Sequence, residues 1–98
     1  MKRLSPMQQE LYRRIDEVLH YVWDPIGVSG DPAARDEYDT YLSQVFSLAV
    51  RGAVAKDIAV YLTDATVQQM GLSAREEHDL HVAELVVAWR EALKRRWS

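Results

Sequence analysis

Hydrophobic residues recur at three- and four-residue steps along four stretches of the chain, a spacing typical of amphipathic helices. In the first stretch they are Leu4, Met7, Leu11, Ile15, Val18, Leu19 and Val22. Ser5 is a favourable N-cap, Pro6 suits the first helical position, and Gln8 completes a capping box. The pattern predicts a helix over about residues 6–21, which must end near Pro25 because the residue before a proline avoids helical geometry.

The second hydrophobic stretch predicts a helix over about residues 32–51. Asp31 is its expected cap, Pro32 its first residue, and Gly52 a suitable stop. Its apolar side carries Tyr38, Tyr41, Leu42, Val45, Phe46, Leu48 and Ala49.

The third and fourth stretches predict helices over about residues 55–69 and 74–96, the third ended by Gly71. Ser73-Ala74-Arg75-Glu76 reads as a capping box that opens the fourth helix. The residues expected to be buried on that helix are Leu80, Ala83, Val86 or Val87, Trp89 or the stem of Arg90, and Leu93. Four helices with short connections predict an all-α fold, a single compact bundle over residues 1–98.

Composition fits this picture and narrows the function classes. The 98 residues are 48% hydrophobic, which suffices for one core, and they include no cysteine, so disulfides and thiolate metal sites are excluded. No apolar run approaches the roughly 20 residues of a membrane span. We therefore expect a cytoplasmic protein without membrane association.

The connection "YVWDPIGVSGDP" between the first two helices is dense in turn-forming residues. Asp24-Pro25-Ile26-Gly27 fits a type I β-turn position by position, and the Asp24 carboxylate is expected to accept backbone amides beyond Pro25. Trp23 has two interpretations: an anchor packed into the bundle, or a direct contact to a partner.

Charge is distributed unevenly. Between Asp16 and Asp39 there are seven acids against Arg35 alone, a local charge of −6 within a net charge of −3. Such a surface repels nucleic acid and attracts a basic protein, although a mixed-charge surface also simply keeps a small protein in solution. The residues predicted to bind a partner are Asp16, Glu17, Trp23, Asp36, Glu37, Tyr38, Asp39 and Tyr41.

Signals for chemistry are weak. His78 and His81 lie three apart, which puts two imidazoles on one helix face, but the zinc-protease motif needs a spacing of four. A metal site would also need a third ligand, for which Glu77, Glu84 and His20 are the candidates. No motif pairs a nucleophile with a base, and "KRRW" near the C-terminus, which could touch nucleic acid or lipid headgroups, is more typical of favourable charge at a helix end. We expect no enzymatic activity, metal or cofactor.

"VWDPIGV", after a capped helix, resembles a Trp-Asp-Pro-apolar-Gly motif of small uncharacterised bacterial all-helical proteins, and "DEYDTYL" has a similar acidic and aromatic character. The resemblance covers about the first half of the chain and implies a helical bundle. By analogy of type, some small acidic helical proteins are immunity proteins against nuclease toxins.

Three functions follow as hypotheses. The first is a small acidic protein-binding module, most specifically an immunity-type inhibitor that covers the basic cleft of a nuclease toxin. The second is a small metal-dependent enzyme using His78 and His81. The third is a homodimeric structural protein that uses the aromatic residues Tyr38, Tyr41 or Trp97.

Overall fold

The computed structural model describes residues 3–97, which form four α-helices and no strand. The helices are α1 (Pro6–Val18), α2 (Asp39–Val50), α3 (Ala55–Asp64) and α4 (Glu76–Arg96). α4, of 21 residues, packs against both α1 and α3, and α1 also packs against α2. The prediction of an all-α bundle of about four helices is confirmed.

The buried apolar side chains form one cluster that includes residues from all four helices. Trp23, from the connection after α1, is the largest fully buried side chain in this cluster. None of the helices found between residues 3 and 97 combines the length and the apolar character needed to cross a bilayer.

The first helix begins with a capping box and ends in a π-helical turn. At its start the predicted capping box is present, with Gln8 N–H donating to Ser5 Oγ at 3.1 Å and Ser5 N–H to Gln8 Oε1 at 3.0 Å. At its end the helix widens into a π-helical turn, Leu19–Trp23, closed by a 3.0 Å hydrogen bond from Asp24 N–H to the Leu19 carbonyl. This turn places Trp23 in the core.

The second predicted helix is wrong in its first third. Asp31 does cap, accepting the Ala33 N–H at 3.0 Å, but Pro32–Ala34 form only a short 3₁₀ helix, and turns follow until α2 begins at Asp39. The backbone bonds here span three residues, as from Glu37 N–H to the Ala34 carbonyl. The reason is tertiary, because Tyr38 (φ −102°, ψ 12°) leaves helical geometry while its side chain is held in the core.

α2 ends as predicted at Gly52, whose φ of +87° strongly favours glycine. Gly52 N–H donates to the Ala49 carbonyl at 3.1 Å and Ala53 N–H to the Leu48 carbonyl at 3.0 Å, which is a Schellman motif. The buried guanidinium of Arg90 on α4 donates to the carbonyls of Ala53 at 2.7 Å and Ala49 at 3.2 Å. A side chain from the fourth helix thus completes the end of the second.

The third helix matches its prediction, since a π-helical turn, Ala65–Gln69, continues α3 and Gly71 follows with φ +69°. The capping box predicted at Ser73 is wrong: α4 begins at Glu76, and its N-cap residue Arg75 makes no side-chain cap. The Arg75 side chain instead makes a long-range contact, donating to the Trp23 carbonyl at 2.6 Å.

The buried face of α4 also differs from the prediction in one respect. Leu80 is 41% exposed, while the preceding residue, Asp79, is fully buried. Ala83, Val86 and Leu93 are buried as expected.

Candidate protein-binding surface

The connection after α1 is organised around the carboxylate of Asp24. Its Oδ1 accepts Val28 N–H at 2.7 Å, its Oδ2 accepts Ser29 N–H at 3.1 Å, and the backbone turn closes with a 3.2 Å bond from Gly27 N–H to the Asp24 carbonyl. The prediction that Asp24 holds the turn is confirmed. Its φ of +31° is a conformation that aspartate tolerates better than most side chains.

Tyr38 links this connection to α2. Its hydroxyl donates to Asp24 Oδ1 at 2.7 Å and accepts the Ile26 N–H at 3.2 Å. Burial alone would raise the pKa of Asp24, but the hydrogen bonds from Tyr38, Val28 and Ser29 outweigh it and hold that pKa below its ordinary value. Burial first, and then the neighbouring carboxylate, raise the pKa of Tyr38 well above its ordinary value.

Trp23 is fully buried between the rings of Tyr38 and Tyr41, with centroid separations of 5.3 and 5.6 Å. Its Nε1–H donates to Oδ1 of the buried Asp79 at 3.0 Å, and Thr63 Oγ1 donates to Asp79 Oδ2 at 2.8 Å. A buried carboxylate thus receives one neutral donor on each oxygen. In the sequence, Asp79 looked like one more acid in the first turn of a solvated helix, so this contact was missed.

The burial of Trp23 and Tyr38 removes two residues from those predicted to contact a partner. Trp23 is fully buried and Tyr38 is 4% exposed, so both are corrected from partner contacts to core residues. Tyr41 is half-buried beside Trp23. Of the aromatic residues proposed for a homodimer, Trp97 is the most accessible, and Arg96 lies over its ring at 4.9 Å.

The two histidines of the alternative metal hypothesis lie in different environments. His78 is partly buried, and its Nε2 lies 2.8 Å from the Val22 carbonyl, so this nitrogen carries the proton and donates. His81 is exposed one turn further on. Within residues 3–97 no group of three or more His, Cys, Asp or Glu side chains is arranged to hold a metal ion.

Two of the predicted acids are already paired within the chain. Asp16 accepts both terminal nitrogens of Arg35, at 3.0 and 3.1 Å, and Glu17 accepts Arg14 Nη1 at 3.2 Å. The Arg35 guanidinium also lies 5.6 Å from the centre of the Tyr21 ring. The Arg35–Asp16 pair links the segment before α2 to α1, whereas the Arg14–Glu17 pair lies within α1.

The remaining acids form what we call the acidic segment: Asp36, Glu37 and Asp39. All three are exposed, and in the described part of the chain their carboxylates make no hydrogen bond or ion pair. Asp36 and Asp39 line an open groove together with the paired Asp16 and Arg35, whereas Glu37 lines a second groove with Tyr41. The predicted surface is therefore divided between two neighbouring grooves.

The basic end of α4 behaves as favourable charge at a helix C-terminus. Lys94, Arg95 and Arg96 occupy its last turn, where the helix dipole favours cations. Lys94 also lies 3.7 Å from Glu91. This placement stabilises the helix end, as the sequence pattern indicated.

Comparison with known proteins leaves the proposed resemblance of the Trp-Asp-Pro motif as a prediction. No protein-family model, curated protein or solved structure matches this chain.

Proposed function

We propose that this chain is a protein-binding domain whose acidic segment docks against a basic surface of another protein. The observation that carries the proposal is the unpaired charge of Asp36, Glu37 and Asp39. Neighbouring like charges repel each other and so oppose folding. A partner that supplies lysine or arginine side chains offsets that repulsion on binding.

The acidic segment is also held in a fixed shape before any partner arrives. Asp31 caps the preceding turn, Arg35 pairs with Asp16, and the Tyr38 hydroxyl is bonded to Asp24. Arg35 and Tyr38 are direct neighbours of the three acids, so their contacts restrain the backbone beside the exposed carboxylates. A preordered surface loses less conformational entropy on binding, which favours affinity and specificity.

The most specific form of the proposal is an immunity-type inhibitor of a nuclease toxin. Nucleases contact the phosphate backbone through lysine and arginine side chains. Three carboxylates on an exposed segment present a similar array of negative charge to the same cations. Charge complementarity of this kind produces fast association that slows as salt rises.

The test begins with charge reversal of Asp36, Glu37 and Asp39 to lysine in the full chain. Wild type and variant are used to capture partners from the source cells, and the captured protein is then purified for association kinetics and a nuclease assay. The proposal expects the variant to fold normally, by circular dichroism, and to lose both association and inhibition. A folded variant that binds and inhibits as well as wild type would contradict it.

The chain offers a matched pair of single substitutions. Asp39 and Asp57 are both exposed acids in the first turn of a helix, so Asp39→Lys and Asp57→Lys change the net charge and the helix dipole equally. We expect only Asp39→Lys to slow association. Equal slowing by both would mean that total charge, and not this surface, controls binding.

A further inference from the structure

A groove lined by both apolar and charged residues runs between α3 and α4. Val60 and Leu80 flank it and are 53% and 41% exposed. The buried residue Ala59 also lines this groove. Single exposed apolar residues are ordinary, but two that border one groove between helices form a surface that a partner can cover.

Two opposite charges lie four residues before and four residues after Val60 in the sequence. Lys56 precedes it by four residues and Asp64 follows it by four, so the three side chains lie along one face of α3. Both charged residues line the groove, and neither makes an ion pair or side-chain hydrogen bond within the described residues. Glu76 adds a second negative charge to the lining.

The position of Lys56 is unfavourable for the helix itself. It lies in the first turn of α3, where the macrodipole disfavours a cation. Local helix stability therefore does not account for a lysine here. A negative charge from a second copy beside Lys56 would offset this unfavourable interaction.

We infer that this groove is a self-association surface, in which α3 packs against α3 of a second copy in antiparallel orientation about a two-fold axis at Val60. In that arrangement each Lys56 meets Asp64 of the second copy, and the two Val60 side chains meet at the axis. A two-fold interface must be complementary to itself, and the order Lys56, Val60, Asp64 has this property. A parallel arrangement would place like charges together.

The acidic segment and this groove share no lining residue. Self-association therefore leaves the surface of the proposed function accessible, and each can fail without the other. The occupant of the groove is a second copy because its Lys56 and Asp64 supply the charges opposite to Asp64 and Lys56 of the first copy.

The experiment is sedimentation equilibrium of the full chain from low micromolar to several hundred micromolar concentration. We expect a monomer–dimer equilibrium that Val60→Asp abolishes, because it buries two carboxylates at the axis. Lys56→Asp and Asp64→Lys each create like-charge contacts, and each should weaken the dimer roughly tenfold. The double variant restores both attractive pairs and should return the affinity towards wild type.

Asp57→Lys is the matched control, since it changes the same helix by the same charge outside the groove lining, and it should leave dimerisation unchanged. A wild-type chain that is monomeric throughout the concentration range would overturn the inference. So would a dimer that ignores the three groove substitutions, or a charge swap that fails to restore affinity. If the wild type is monomeric and Val60→Asp loses a captured partner, the groove holds a helix of another protein instead.

Discussion

The indole Nε1–H of Trp23 donates a 3.0 Å hydrogen bond to Oδ1 of Asp79, which lies 56 residues later in the chain. Both side chains are fully buried. The bond joins the connection after α1 to the first turns of α4, where Arg75 and His78 also contact the backbone of that connection. This contact fixes Trp23 as a core residue.

Asp79→Ala should destabilise the fold by about 2 to 5 kcal/mol, because it leaves the indole N–H of Trp23 and the hydroxyl of Thr63 buried without an acceptor. Asp79→Asn retains an acceptor oxygen and should cost less. Urea unfolding of the three proteins measures both differences. Equal stability of wild type and Asp79→Ala would show that the two donors find other partners.

Substitutions at Trp23 separate packing from hydrogen bonding. Trp23→Ala should cost about 3 to 5 kcal/mol, as large-to-small changes in a core do. Trp23→Phe keeps most of the ring contacts but leaves Asp79 without its indole donor, so it should cost less than the alanine variant. If the alanine variant is as stable as wild type but no longer binds a partner, Trp23 is an interface residue and the prediction is wrong.

The pKa of Asp24 predicts an acid-sensitive contribution to stability. Because the folded pKa lies below the unfolded one, the contribution is complete above about pH 4 and is lost as pH falls through the folded pKa. Asn tolerates the left-handed backbone at this position but does not titrate, so Asp24→Asn should flatten part of the acid limb. Thermal unfolding between neutral pH and pH 2 checks this, and parallel acid limbs would contradict it.

Arg90 should stabilise the end of α2 from a distance. Arg90→Met keeps an apolar stem but leaves the carbonyls of Ala49 and Ala53 without their guanidinium donor, at a cost of about 1 to 3 kcal/mol. Glu91→Gln is the control, since this half-exposed neighbour lies 3.9 Å from Arg90 and should change stability by less than about 0.5 kcal/mol. Hydrogen exchange at the Gly52 and Ala53 amides shows whether the effect is local.

The features that the sequence predicted correctly depend on neighbouring residues. Ser5 and Asp31 cap their own next turn, Gly52 and Gly71 adopt their own positive φ, and Asp24 binds amides four and five residues ahead. In each case the partner lies within a few positions. Such signals can be recognised in a short window of sequence.

The features that were missed depend on distant residues. Helix α2 begins after Tyr38, whose side chain is buried and bonded to Asp24, and α4 begins after Arg75, which bonds to the Trp23 carbonyl. The burial of Asp79 requires Trp23 and Thr63 to come from two other elements. Charge showed a similar limit, since Asp16 pairs with Arg35, which lies 19 residues later in the chain.

The contacts made by α4 can form only late in synthesis. Helices α1 to α3 leave the ribosome before α4, and the nascent chain at that point has neither the carboxylate of Asp79 nor the guanidinium of Arg90. We expect it to expose Trp23 and to be a substrate for chaperones, since unfinished apolar surfaces favour such binding. A chain ended at residue 74 should therefore show no cooperative thermal transition, and a cooperative one would contradict this order. Because translation runs from the N-terminus, the residues of α4 that hold the rest of the fold in place are made last.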